Sequence, residues 1–553
     1  MKKIRFSIVN LIISILFSLA SVFGFSAKKY GEIKFASAWT YIGLLGIGIV
    51  SYFLVALIWE LFDRILQANK AKRKLVNGTE TNKITVNSRY VWLKSTITIW
   101  LLNFVVFLGV YPGFFCYDAQ DELMETITRS FNNQHPMLHV LSMGGIVQLF
   151  HKLTGDYNIG IASFILFQMT IIAVVLGFLI KVLSSEGLGK KWQTILSIYF
   201  GAFPVLVMYS LCSSKDGVFG AFLVLSVLKL RQLLKNPDEF FKDKKVKNIT
   251  QLILSLVFMM LMRSNGVHAF IVFAILFIAY VLRHSDYRKY VKNILFIVIS
   301  SVVLFFLINT MLLRVTDAKD VGHREILTVP IQQMARLYSF DRNSLEDEEI
   351  SKITEYISED AMNRYAPKCS DMVKIGFLED NYLNNTKGFY DIWLSLGVKH
   401  PAAYLNAFAM TSYGMYYPWA VIDGYKDHEM FTYTYEDSSY FGYEVEPPGE
   451  RCSLIPFIDD FYRWLSLDAS AQKIPVFHLL LSPGFMLWVY IIILGYVLKE
   501  KRIEFGLPYV LPFVVILTCL IGPMSLVRYS FYLWIFIPMI FADLFISAVK
   551  REK

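Results

Sequence analysis

Charge is scarce in this chain. Only 18% of its 553 residues are Asp, Glu, Lys or Arg, against about 25% in an ordinary soluble domain. In their place stand 55% hydrophobic and 16% aromatic residues, with a mean hydropathy of +0.47. That balance argues against a soluble protein and for a chain that crosses a membrane many times. Cysteine is rare too. Cys116, Cys212, Cys369, Cys452 and Cys519 are scattered, with no C-x-x-C pair and no zinc spacing. Such usage argues against a metal-thiolate centre or a disulfide scaffold. Glycine-rich phosphate loops are missing, which argues against a cytosolic nucleotide-binding domain. No period of 20–50 residues marks a repeat protein. The net charge of +9 does not indicate nucleic acid, because no basic-aromatic module lies in a soluble segment. In a membrane protein a basic excess reports the cytoplasmic loops.

What is present is a series of long apolar runs. A spanning helix needs about 20 mostly apolar residues. Twelve runs meet that need: 7–25, 40–60, 93–111, 158–181, 192–209, 217–233, 249–263, 267–283, 293–313, 476–498, 507–524 and 529–548. The first follows Met1–Arg5 like a signal peptide but lacks a small-residue cleavage site, so it reads as a span. Basic clusters at Lys2–Arg5, 69–74, Lys190–Lys191, 242–247, Arg283–Lys292, 499–502 and 550–553 belong on the cytoplasmic side. One threading satisfies them all, provided that 137–151 does not cross. That segment therefore reads as a re-entrant or interfacial helix on the outer side. The fold class expected is an all-α polytopic membrane protein of about 12 transmembrane helices, both termini cytoplasmic. Its parts are an N-terminal transmembrane region 1–313 with an outer loop 111–157, an extracytoplasmic domain 314–475 and a C-terminal transmembrane region 476–553. Within the outer domain "SLEDEEISKITEYI" predicts an amphipathic helix capped by Ser344. The apolar, aromatic run 402–420 predicts a segment on the membrane surface, or one that dips in and returns.

The polar residues that interrupt this pattern fall on the outer side. Asp118 follows the turn Tyr111-Pro112-Gly113, where a carboxylate can serve as a general base or orient a hydroxyl. Asp121 and Glu122 lie three and four residues on, on one face if the segment is helical. They suit a divalent metal ion or proton transfer; the plainer alternative is an acidic helix start that complements the helix dipole. His135 precedes Pro136 and either binds a phosphate or sugar hydroxyl or caps the next helix. "SSKDG" brings Lys215 and Asp216 to the outer start of a span, where a cation suits a lipid phosphate. "MRSNGVHAF" packs Arg263, Asn265 and His268 into a short outer turn with Gly266, and Arg has the planar fork that phosphate favours. "VPIQQMAR" adds Gln332 and Arg336, and "SLVRYS" adds Arg528 and Tyr529. Tyrosines 425, 433, 435, 440 and 443 offer aromatic faces to a sugar, or simply a rigid folded loop.

The motifs "YPG…YD…HP", "SKDG", "RSNG", "VPIQQMAR" and "VRY", spread over residues 90–548, resemble the GT-C superfamily of integral-membrane glycosyltransferases, and within it a bacterial branch. The resemblance implies a polyprenyl-phosphate-linked sugar as donor, a cell-envelope acceptor, an extracytoplasmic site in the plasma membrane and inversion at the anomeric carbon. Carried over by position, Asp118 becomes the base or acceptor-orienting carboxylate, and Lys215, Arg263 and Arg528 bind the lipid phosphate. The chain departs from the pattern in two ways. Two spans precede the span before the acidic loop, and the acidic motif is Asp-x-x-Asp-Glu. Rival readings are a polysaccharide polymerase or ligase with a lipid diphosphate donor, an envelope-lipid transporter or flippase, and an inactive scaffold. A transporter would place charges in mid-span, and the spans here are nearly free of them.

Overall fold

The computed structural model describes residues 7–77, 88–242, 245–420, 445–466 and 474–550. The tyrosine-rich stretch 425–443 lies outside them. Among the described residues the regular elements are helices, and extended pairing is limited to isolated bridges. Nine helices among the described residues are long and apolar enough to cross a membrane: Ile8–Tyr30, Ala38–Ala68, Ser88–Gly109, Tyr157–Glu186, Asp216–Lys235, Lys245–Met262, Ser264–Arg283, Val291–Val315 and Val527–Ile546. The chain is thus an all-helical, multi-pass membrane protein. Its outer faces carry apolar side chains, such as Leu45, Leu57, Phe296 and Leu307, that are exposed without partners. A lipid solvent makes that arrangement stable.

Three expected spans differ. The run 192–209 is broken into Lys190–Ala202 and Pro204–Leu211, bent by 57°. Pro204 is the cause: its ring drives Phe203 into extended backbone and opens a new helix at its first position. The runs 476–498 and 507–524 yield the shorter apolar helices Pro483–Lys499 and Ile503–Cys519. Met137–Thr154, the segment expected not to cross, is helical and is not among the nine.

Local signals explain the helix ends. Ser7, Asp156 and Ser482 each accept a hydrogen bond from a first-turn N–H. Gly31 and Gly155 close helices in left-handed backbone. The amphipathic helix expected within 314–475 forms over Asp347–Tyr356, but Glu346 and Glu349, not Ser344, make its capping box. Both S-x-x-D and E-x-x-E occur in that sequence, and the second is used. The run 402–420 also differs from expectation. Pro401–Tyr416 is buried on most of its surface rather than laid on lipid. A helix apolar on every side must be covered on every side, and the first span and Pro483–Lys499 cover it. The described part of 314–475 has a hydrophobic cluster of its own, built on Leu327, Ile331, Ile353, Phe389 and their neighbours.

Candidate functional site

The third apolar helix ends at Gly109, and the chain then turns sharply. Gly113 has φ +116°, and a Cβ there would press on Ile165 and on the Leu211 carbonyl. That close approach lets the next residues pair with a distant loop. The Phe114 N–H donates to the Leu211 carbonyl at 2.9 Å, and the Ser213 N–H donates to the Phe114 carbonyl at 2.8 Å. Two loops far apart in sequence are thereby locked in register, and each leads straight into a charged residue, Asp118 in one and Lys215 in the other.

Asp118 stands at the N-cap position of the helix Ala119–Thr128, yet its side chain caps nothing. The carboxylate turns away instead. Lys215 Nζ donates to it at 2.7 Å and Arg528 Nη1 at 3.2 Å. The plainer reading, an acidic helix start, therefore does not describe this residue. Lys215 also donates to Glu122 at 3.2 Å and to His135 Nδ1 at 3.1 Å. His135 precedes the N-cap residue Pro136 and makes no capping bond. Glu122, 1% exposed, is shared with His139 at 2.5 Å on its other oxygen.

A second pair adjoins the first. Arg263 is the one extended residue between Met262 and Ser264. Its guanidinium bonds to buried Asp216 and to Asn265 at 3.0 Å. Arg528 Nε lies 4.0 Å from the same aspartate. Both guanidinium groups are held against aromatic rings: Arg528 is 4.4 Å from the Tyr117 centroid and Arg263 is 4.8 Å from that of Tyr529. Such stacking fixes a guanidinium plane and leaves its edges free to donate. Arg528 Nε and Asp216 Oδ2 are buried without a hydrogen-bond partner among the described residues.

Most of these groups line one cavity of about 350 Å³, with Glu122 and His139 buried behind its wall. Asp118, His135, Lys215, Asp216, Arg263, Asn265, Arg528 and Tyr529 are in its wall. Its far side comes from the segment 314–475: Glu325 and Asp371 each accept from buried Lys374 at 2.7 Å.

The family comparison gives one match. A model described as a family of unknown function (DUF6020) matches residues 123–552. The chain belongs to that family. No curated protein and no solved structure matches. The DUF6020 match covers His135, Lys215, Asp216, Arg263 and Arg528 but begins five residues after Asp118.

Charge balance sets the chemistry of this family member's site. Burial alone would raise the pKa of Asp118, but the charges of Arg528 and Lys215 overcome it and hold the carboxyl well below its usual range. Burial likewise opposes ionisation of Glu122, and His139 and Lys215 bring it down to about 2. His135 moves the other way: burial and the Lys215 charge lower its pKa, favouring the neutral ring. Lys215 resists its own burial because Asp118 and Glu122 face it, and its pKa is raised.

Three candidates lie elsewhere. Gln332 is buried and donates to the Ala366 carbonyl at 3.0 Å, inside the segment 314–475. Arg336 reaches the Gly31 carbonyl at 3.4 Å and stacks on Phe340. Asp121 points out to solvent. Gly266 and His268 fall inside the helix Ser264–Arg283 rather than in a turn, and His268 is exposed. Glu325, Asp371, Lys374 and His139 carried no motif in the sequence. Only His139 had a usable signal, its spacing of four from His135.

A divalent ion has a possible donor set here. Asp118, Glu122 and His135 each offer one atom, all within 4.8 Å of one another. The Lys215 ammonium stands among those same atoms at 2.7, 3.2 and 3.1 Å. A metal would need donors at about 2.0–2.2 Å from the same point. Ammonium and ion cannot share it, so the residues as folded do not fit a metal.

Proposed function

We propose that the protein is a membrane glycosyltransferase that moves a sugar from a polyprenyl-phosphate donor to a cell-envelope acceptor on the outer face of the plasma membrane. The observation that carries this reading is the meeting of Asp118 with Lys215 and Arg528 in one cavity. A cavity that joins two cations to a carboxylate at the ends of spanning helices suits a lipid phosphate beside an acceptor hydroxyl. In this reading about twelve spans thread the membrane, both termini are cytoplasmic, Met137–Thr154 stays on the outer side, and 314–475 is extracytoplasmic.

The step is a single displacement. An acceptor hydroxyl oxygen forms a bond to the anomeric carbon. The bond from that carbon to the phosphate oxygen breaks, and its electron pair leaves with the lipid phosphate. The hydroxyl proton passes to Asp118. A carboxylate held so far down is a weak base while Arg528 and Lys215 engage it. An incoming phosphate competes for those same cations. As they turn toward it, Asp118 loses its counter-charges and regains basicity where the acceptor sits. The arginines then stabilise the charge that grows on the leaving phosphate. No metal takes part in this sequence.

Binding of a polyprenyl phosphate by the purified protein tests the reading. Arg528→Ala and Lys215→Ala should each weaken it at least tenfold, and unchanged binding in both would refute the phosphate role. A polymerase or ligase would prefer the diphosphate, so comparing the two lipids separates the runner-up.

A further inference from the structure

Three groups from two segments, Asp118 and Glu122 at the start of one helix and His135 before the next, point lone pairs at one spot. They are Asp118 Oδ2, Glu122 Oε1 and His135 Nδ1. His135 Nδ1 lies 3.9 Å from the Asp118 oxygen and 3.7 Å from the Glu122 oxygen. Donors on a tetrahedral ion sit about 3.4 Å apart. These two separations exceed that by a few tenths of an ångström, and all three atoms lie within 4.8 Å of one another. The Lys215 nitrogen occupies its middle, with three N–H groups for three acceptors.

We propose that the Lys215 ammonium is the resident cation of this donor set, standing where a divalent ion would, and that removing it uncovers a latent transition-metal site. Charge supports the assignment. Asp118 and Glu122 bring two negative charges, and Lys215 and Arg528 bring two positive ones. No negative charge is left to attract a dication. Without Lys215 one charge is uncompensated, beside a Glu122 that is buried. Two carboxylates and an imidazole then suit a borderline ion such as Zn²⁺ or Mn²⁺. His139, which bonds the far oxygen of Glu122, supplies the outer hydrogen bond that orients a ligating carboxylate. The replacement depends on the donor geometry alone, whatever the substrate.

Equilibrium dialysis of the full-length purified protein against Zn²⁺, and Mn²⁺ read by electron paramagnetic resonance, decide the matter. The wild type should hold no stoichiometric ion at 100 µM Mn²⁺ or Zn²⁺. Lys215→Ala, which vacates the position of the ammonium, should bind one ion per chain at least 100-fold more tightly. Lys215→Ala with His135→Ala should return to the wild-type result, which separates this site from adventitious binding at Cys452. Lys215→Ser is read in parallel, and a Zn²⁺-dependent rise in thermal midpoint reports binding where either variant is marginally stable. One tightly held ion in the wild type overturns the proposal. So does a folded Lys215 variant that binds none.

Discussion

Lys215 donates to Asp118 at 2.7 Å across 97 residues of sequence. The pair closes a chain of charges that runs from Glu122 through Lys215, Asp118 and Arg528 to Asp216 and Arg263. Each member comes from the end of a helix or the loop before it. The charges are therefore the means by which separate helix ends are brought to one place.

Arg263 and Asp216 should behave as a buried pair. Arg263→Ala leaves Asp216, 1% exposed, without its nearest counter-ion, and a broken buried pair costs about 3–5 kcal/mol. The thermal midpoint in detergent should fall sharply. Arg263→Met with Asp216→Asn should recover most of the loss, because it removes the stranded charge.

Acid should strip the cluster through its carboxylates. The folded pKa of Glu122, about 2, lies below that of an unfolded glutamate, about 4.3. The unfolded chain therefore binds more protons between those values, and stability rises with pH there. The contribution is complete above about pH 4.3 and is lost as pH falls through about 2. Thermal midpoints measured over pH 2–6 should show this slope in the wild type and a shallower one in Glu122→Gln.

The helices that carry the site are also pinned at their other ends. Arg231, on the helix that starts at Asp216, pairs with Glu186 at 2.5 Å and with Asp543 on the last helix. Tyr509 bonds the other oxygen of Asp543. Asp543→Ala should lower the thermal midpoint well beyond Glu348→Gln, which removes an exposed pair with Lys352 and should leave the midpoint unchanged.

Gly113→Ala should disturb the site without touching it. The substitution meets Ile165 and the Leu211 carbonyl in a backbone conformation that L residues rarely adopt. The pairing of Phe114 with Leu211 should loosen and Asp118 should drift from Lys215. Binding of a polyprenyl phosphate should weaken while the protein remains helical by circular dichroism.

Much of this was legible in the sequence, for physical reasons. Spans declare themselves by length and apolarity, and a carboxylate after a YPG turn stands out against them. Asp118, Lys215 and Arg528 were found because charge is conspicuous in an apolar chain. The same signal fails in the segment 314–475. There charge is ordinary, so Glu325, Asp371 and Lys374 carried no mark. Gln332 and Arg336 looked like anion ligands, yet the helix Thr328–Phe340 buries both among its own neighbours. The bend at Pro204 was hidden because the run 192–209 reads as continuously apolar. Asp121 and Glu122 are adjacent in sequence, but a step of about 100° around the helix sends one to solvent and the other to the cluster.

Sugar transfer from a polyprenyl-phosphate donor by purified protein, wild type against Asp118→Asn, tests the central claim most directly. Turnover should be present in the wild type and fall at least 100-fold in the variant, with binding of the bare lipid phosphate retained. Equal turnover in the two proteins would contradict the account.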